Sequence, residues 1–374
     1  MAKKINLQPS IAQPSAPFSQ EEASFYNVPD SPASTLIMDV LGAGADIADL
    51  PERKQQINHN SKYEVLEDGK RRLITVTNPT GTADVTVELA DIDRLTGSNK
   101  PAKKLLVFSL IKANEQAVYD GQLTKDYISF PLQELIDIGF YKKPQSARKG
   151  FNTGADVLTS LKIKGTVKKS KKKTAEVEAL EVLFTGARIE KGQCYIFLNP
   201  RINWSFLMQY FTILPSYYFR LSNRASDLLY YIFYLARQNT KEIKGRGYFT
   251  ISFRAIQHKL QLPNEKGLNN PQRDIRDAIE NAIKELETEH QKEYMDEEFT
   301  LEPVYDKSAA ISEYLDNGYL KVSLKGSFAS SFIAICEDTE KQIAEAQKRR
   351  DRITERAIAL NTAKAIETKD SKKK

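Results

Sequence analysis

The sequence is short of the residues that staple, ligate and cross. It has two cysteines in 374 residues, Cys194 and Cys336. Two cannot staple a secreted scaffold, and they point to a reducing compartment. It has three histidines, His59, His258 and His290, none two residues from another. The His-hydrophobe-His metal site of rolling-circle nickases is therefore absent, and no cysteine–histidine spacing suits zinc. The longest apolar run, Leu228 to Ala236, has nine residues, against the roughly 18 that a membrane helix needs. Met1-Ala2-Lys3-Lys4 leads into polar sequence, so neither a signal peptide nor a membrane segment is expected. The Gly69-Lys70 dipeptide is followed by Arg71, with Glu64 where a phosphate-binding loop needs its first glycine, which excludes a Walker A cradle. The acidic sequence has no Asp-x-Asp-x-Asp-Gly calcium loop. Tyr217-Tyr218 and Tyr230-Tyr231 lack the Arg/His cluster of a tyrosine nucleophile and read as core. No enzyme, cofactor or metal is expected.

What is present is charge, unevenly placed. The net charge is +6, from 55 Lys+Arg and 49 Asp+Glu. Residues 1–60 carry 4 basic and 7 acidic residues; 140–173 carry 11 basic and 1 acidic; 285–316 carry 2 basic and 11 acidic; 337–374 carry 11 basic and 8 acidic. The near-neutral total results from cancellation between segments.

Residues 1–60 hold 6 of the 15 prolines and little periodicity, and are expected to be mostly disordered. Thr35-Leu36-Ile37-Met38-Asp39-Val40-Leu41 is a short apolar insert in that tail. Leu73-Ile74-Thr75-Val76-Thr77 and Val85-Thr86-Val87-Glu88-Leu89, separated by Asn78-Pro79-Thr80-Gly81, predict a hairpin. A buried helix follows from Pro101 to about Tyr119.

An internal repeat organises the rest. Ile128-Ser129-Phe130 recurs as Ile251-Ser252-Phe253 at an offset of 123, each time before a short amphipathic helix. Pro144-Gln145 matches Pro271-Gln272; Leu158 and Leu161 match Ile283 and Leu286; Tyr195-Ile196-Phe197-Leu198 matches Tyr319-Leu320-Lys321-Val322. Ordered matches at near-constant offset indicate two copies of one module. Copy one reads as helix 101–119, strand 127–130, helix 131–139, helix 144–161 and strands near 162–168, 179–186 and 193–198. Copy two reads as helix 222–238, strand 247–253, helix 254–261, helix 271–289 and strands near 299–305 and 319–324. This is the order of a winged helix, a helix-turn-helix followed by a hairpin wing. The expected fold class is α+β: two tandem winged-helix domains with a disordered N-terminal tail and a C-terminal helix. The expected boundaries are 1–60 for the tail, 61–200 and 201–335 for the domains, and 336–374 for a charged helix and tail.

The basic segment is the strongest functional signal. Lys142, Lys143, Arg148 and Lys149 lie at the start of the third helix of copy one. Lys162, Lys164, Lys168, Lys169, Lys171, Lys172 and Lys173 run into the expected wing. A helix start offers backbone N–H groups to phosphate, and lysines beside it supply affinity and salt dependence. Base reading calls for Arg, Asn, Gln, Ser or Thr. Copy one offers Gln145, Ser146, Arg148, Asn152 and Thr153. Copy two offers Asn269, Asn270, Gln272, Arg273 and Arg276, and Arg254 on its preceding helix is a further DNA-binding candidate. Asn270 reads as an N-cap and Pro271 as the first helical residue. Arg273 and Arg276, three apart, share one face of an α-helix. They face either a groove or intrahelical partners at Asp274, Asp277 and Glu280.

Leu95-Thr96 followed by Ala102, Leu105 and Leu106 resembles the Leu-Ser, Ala-x-x-Leu-Leu opening of the first domain in the tandem winged-helix replication initiators of iteron plasmids and related mobile elements. Phe219-Arg220-Leu221-Ser222-Asn223-Arg224-Ala225-Ser226-Asp227-Leu228-Leu229-Tyr230 resembles the Leu, Ala, Arg-Leu-Tyr opening of their second domain, with Asp227 near the place of Arg. The resemblance implies binding to directly repeated origin DNA, and a homodimer formed through the first domain. The expected function is initiation of plasmid or mobile-element replication with recruitment of a host helicase or helicase loader, and the expected location is the cytoplasm. A winged-helix transcriptional regulator and a DNA nickase with an unrecognised site are the alternatives.

Overall fold

The computed structural model describes residues 25–30, 61–65, 71–77, 83–90, 100–119, 122–170, 173–202, 204, 210–260, 262, 265, 268–293, 299–326, 328–338 and 341. The architecture is α+β. The expected hairpin of the first hundred residues is present as β3 (Arg71–Thr77) and β4 (Ala83–Ala90), with β2 (Ser61–Val65) on its outer edge.

The first unit then follows in order: α1 (Lys100–Gln116), the small ribbon β5 (Val118–Tyr119) and β6 (Gln122–Leu123), β7 (Tyr127–Pro131), α2 (Glu134–Asp137) and α3 (Pro144–Ser160). After α3 come β8 (Leu161–Ser170), β9 (Lys173–Val182), β10 (Phe184–Glu190) and β11 (Gln193–Leu198). Strand β12 (Tyr210–Pro215) and a 3₁₀ turn (Ser216–Arg220) lead to the second unit. That unit holds α4 (Asn223–Gln238), α5 (Thr240–Arg246), β13 (Tyr248–Ser252) and α6 (Phe253–Lys259). A π-helical turn (Gln272–Arg276) enters α7 (Asp277–Glu293), and β14 (Phe299–Val304), α8 (Ile311–Asn317) and β15 (Tyr319–Leu324) follow. A last helix, α9, covers 328–338.

The repeat seen in the sequence reappears as strand register. In each unit the last strand lies centrally, in the orders β10-β11-β7 and β13-β15-β14. Ser129 stands opposite Tyr195, and Ser252 stands opposite Tyr319; Ile128 faces Ile196, and Ile251 faces Leu320. The inward positions are buried in both sheets. Local chemistry sets the helix ends. Ser222 and Ser252, both in extended backbone, accept from the N–H groups of Ala225 (3.4 Å) and Ala255 (3.2 Å) and so cap α4 and α6. Lys191 and Gly192, both at positive φ (48° and 83°), make the two-residue β10–β11 turn.

Three expectations change. The tail expected to be disordered contributes a strand, β1 (Phe25–Asp30), antiparallel to β12, with Tyr26 opposite Leu214. Its remainder, including 35–41, lies outside the described residues, as does the expected C-terminal helix beyond residue 341. The lysine-rich hairpin expected to be a wing is not the counterpart of β14–β15 in the second unit; β10–β11 holds that place. Instead β8 and β9 extend the N-terminal strands into one five-stranded antiparallel sheet, ordered β2-β3-β4-β8-β9. The reason lies in pairing: β8 runs on from α3 and finds β4, with Ile163 opposite Val87 and Leu161 opposite Leu89. Third, α2 is shorter than the 131–139 expected.

Candidate nucleic-acid interface

Helix α3 is amphipathic, with one face packed inward and one in solvent. Ala147, Phe151, Gly154, Ala155, Val157 and Leu158 are buried. Phe151 meets Phe130 edge to face, with ring centroids 6.0 Å apart. A Cβ at Gly154 would stand 3.0 Å from Leu105 and 3.5 Å from Ala102, so the glycine lets α3 cross α1 closely. Gly150 is constrained from the other side: a methyl there would overlap the hydroxyl and ring of Tyr141, which stacks on Phe140. Burial pushes the Tyr141 hydroxyl well above its usual range.

With that stripe fixed inward, Gln145, Ser146, Arg148, Lys149 and Asn152 are all exposed, and Lys142 and Lys143 are exposed just before the first turn. The structure thus brings these seven predicted residues onto one surface. The backbone of the lysine hairpin leaves from the far end of this helix. Lys168 registers with Thr174, and Ser170 with Lys173, at the closed end of β8–β9; Lys169 lies between them, and Lys171 and Lys172 lie outside the described residues. Lys162 registers opposite Glu88 and Lys164 opposite Thr86.

The second unit is arranged differently. Asn270 is the cap read from sequence: its Oδ1 accepts from the Arg273 N–H at 3.2 Å. Asn269, Asn270, Gln272 and Arg273 are exposed. The Arg273 side chain is 72% exposed and donates from Nε to the Asp274 carboxylate at 3.0 Å, one of the intrahelical partners that the sequence offered.

Arg276 departs from expectation. It is 7% exposed and donates to the carbonyls of Lys307 (3.3 Å) and Ala309 (2.9 Å). Its guanidinium lies over the rings of Tyr314 (4.6 Å) and Tyr305 (5.4 Å). The cause is the π-helical turn, in which the Asp277 N–H reaches back five residues to the Gln272 carbonyl. More residues per turn means that positions three apart no longer share a face. Arg273 stays outside while Arg276 turns under the loop between β14 and α8, so Arg276 is a structural residue.

Arg254 is likewise engaged. It forks between Glu265 (2.9 and 3.0 Å) and Asp316 (2.6 and 3.0 Å). These bonds raise its own pKa and hold the Glu265 carboxyl below the usual carboxylate range. A cation with two carboxylate partners adds little net attraction for phosphate.

Sequence reasoning had no signal for the partners of the acidic stretch. Glu285 accepts from the Ser222 N–H (2.5 Å) and hydroxyl (2.6 Å), Glu289 and Glu293 pair with Arg220, and Glu302 pairs with Lys321. Much of that negative charge is spent within the fold. Both cysteines are buried, and burial pushes the Cys194 thiol up to about 12. Among the described residues no group of three or more His, Cys, Asp and Glu could hold a metal, and no helix is long and apolar enough to cross a membrane.

Two solved structures are similar to this chain. A crystal structure of domains 2 and 3 of RctB, as a selenomethionine derivative, covers 76% of this chain and 99% of its own, at 10% identity and a TM-score of 0.40. A second crystal structure of RctB domains 2–3 covers 76% and 98%, at 10% identity and a TM-score of 0.38. No protein-family model and no curated protein matches the chain.

Proposed function

We propose that the chain is a sequence-specific double-stranded DNA-binding protein that initiates replication of a plasmid or other mobile element. In this reading both units are winged helices, it binds origin repeats, and it recruits host helicase machinery without a covalent step of its own. The observation that carries the reading is the outer face of α3: seven polar or basic side chains just before the helix and along its first half, exposed above a buried stripe of Ala147, Phe151 and Leu158. Four are cations and three are side chains able to read base edges. In the second unit Gln272 and Arg273 take the base-reading role and Asn270 the cap.

Footprinting on the DNA that flanks the gene tests the reading. Protected direct repeats are expected, with protection lost as salt rises. A plasmid carrying only this gene and its flanking DNA is expected to be maintained; protected sites without maintenance in any host would instead favour a transcriptional regulator. No binding to any duplex at low salt would end the DNA reading. Nicking of supercoiled DNA with Mg²⁺ or Mn²⁺ present would overturn the non-catalytic part of it.

A further inference from the structure

The two units meet at an elbow, the 3₁₀ turn Ser216–Arg220 and the two residues after it. Phe219 fills the joint, 1% exposed, among Tyr26 (5.4 Å), Phe108 (5.8 Å) and Phe140 (5.9 Å), all from the first unit or from β1. On the far side the elbow is tied to α7: Arg220 pairs with Glu289 and Glu293, and Ser222 donates to Glu285 from its N–H and its hydroxyl. On the near side it is tied to α1. Lys103 pairs with Asp227 of α4 at 2.6 Å, and Lys104 donates to the carbonyls of Phe219 (3.1 Å) and Leu221.

Lys104 is the unusual member of this set. It is 7% exposed, and its hydrogen bonds go to backbone carbonyls at the exit of a 3₁₀ turn, where a cation meets unsatisfied carbonyls. Its ammonium also stands 5.9 Å from the Phe140 ring centroid. A buried ammonium is a poor source of stability, because desolvation cancels much of its attraction. Its value lies in geometry: only one docking of the elbow supplies two carbonyls at that point, and any other leaves a buried charge unpaired.

We propose that Lys104 is a positioning residue, whose buried ammonium locks the elbow so that α3 and α7 are held at one spacing for the DNA they would read together. Resting on the reading of α3 and α7 as DNA-facing helices, this assigns the register between them to a side chain that touches no DNA. Hydrophobic contact at Phe219 joins the units; Lys104 selects one arrangement among those that Phe219 permits.

The test uses the full chain with spin labels at two exposed positions, Asp156→Cys on α3 and Asn281→Cys on α7, and reads the distance distribution between them. The parent should give one narrow distribution. Lys104→Met should broaden it at least about twofold, as a single docked state gives way to several, with thermal stability equal or higher. It should also lower affinity for flanking duplex carrying a footprinted pair of sites by about tenfold, since the second unit is presented at lower effective concentration. An unchanged distribution in Lys104→Met would overturn the proposal. Should that variant not fold, Lys104→Gln, which keeps a donor but removes the charge, must broaden the same distance; failure to do so would also overturn it. If the parent binds no duplex at all, the DNA reading fails while the distance result still decides the role of Lys104.

Discussion

Replacing Arg276 by alanine separates the two roles that an arginine in this helix could have. In the structure the change removes two hydrogen bonds from a charged donor, to the carbonyls of Lys307 and Ala309, and a stack on Tyr314 at 4.6 Å. Hydrogen bonds to charged groups are worth about 1.5–3 kcal/mol each and a largely desolvated cation–π contact about 1–2. The two carbonyls, which belong to the loop between β14 and α8, lose their donor, and the side chains of Tyr305 and Tyr314 lose a neighbour. Together these give a loss of about 4–8 kcal/mol, a large fraction of the ~5–15 kcal/mol of a folded domain. Urea unfolding should show a lower midpoint with an unchanged slope. Arg276→Lys should recover part of the loss, because an ammonium reaches one carbonyl but lacks the fork. Binding to flanking duplex, measured well below the unfolding transition, should keep its sequence preference. If stability were unchanged within about 0.5 kcal/mol while preference was lost, the side chain would be reading bases and the burial argument would be wrong.

Arg273→Ala should leave stability within about 0.5 kcal/mol, relax sequence preference at one position and cost about 1–3 kcal/mol of binding if the residue reads a base; gel shifts against mutated repeats check it. Replacing Lys168, Lys169, Lys171, Lys172 and Lys173 by alanine should weaken binding to all duplexes alike and flatten the dependence of log K on log salt. Gly150→Ala should destabilise by about 1–3 kcal/mol despite alanine's better helix propensity, because its methyl meets the Tyr141 ring, and a Tyr141→Leu partner should relieve much of that cost in a double-mutant cycle. For Lys104, burial lowers the pKa from 10.5 to about 8. Between those values the unfolded chain binds the proton more readily, so stability from this group rises as pH climbs through the window and is lost as pH falls through about 8. The parent should therefore gain on Lys104→Met by on the order of 3 kcal/mol between pH 8 and 10.5 in denaturant titrations.

Most helices and strands were legible because their signals are local. Pro144 and Pro271, the Asn270 cap, and the alternation in Tyr195–Leu198 and Tyr319–Val322 carry their own periodicity and punctuation. The matched strand positions were legible because Ser129 and Ser252, each in an Ile-Ser-Phe run, stand at the same register point in the two three-stranded sheets. The exposed face of α3 was also legible, since an apolar stripe at helical spacing leaves its complement outside. What escaped depends on partners distant in sequence. A six-residue strand in a proline-rich tail has no pattern of its own until β12 pairs with it. The lysine hairpin reads as a wing until β4 is known to lie beside it. Arg276 reads as exposed if the helix is assumed to be α from its first residue, and nothing in Gln272-Arg273-Asp274-Ile275-Arg276 announces a π turn. Arg254 reads as a free cation until Glu265 and Asp316 fold beside it.

The pairing of β1 with β12 joins Tyr26 to Leu214, about 190 residues later in the chain. Synthesis is vectorial, so the N-terminal strand is made first and has no partner until the end of the first unit has emerged. At about 5–20 residues per second that wait is roughly 10–40 s. During it Phe25–Asp30 remains an unpaired edge able to join any exposed strand, including one on a neighbouring nascent chain. Its proline, Pro29, cannot donate to such a pairing. Closure of β1 onto β12 is thus a late, long-range event. It sits beside the Phe219 joint, so the last strand to pair would be among those that fix how the two halves of the molecule meet.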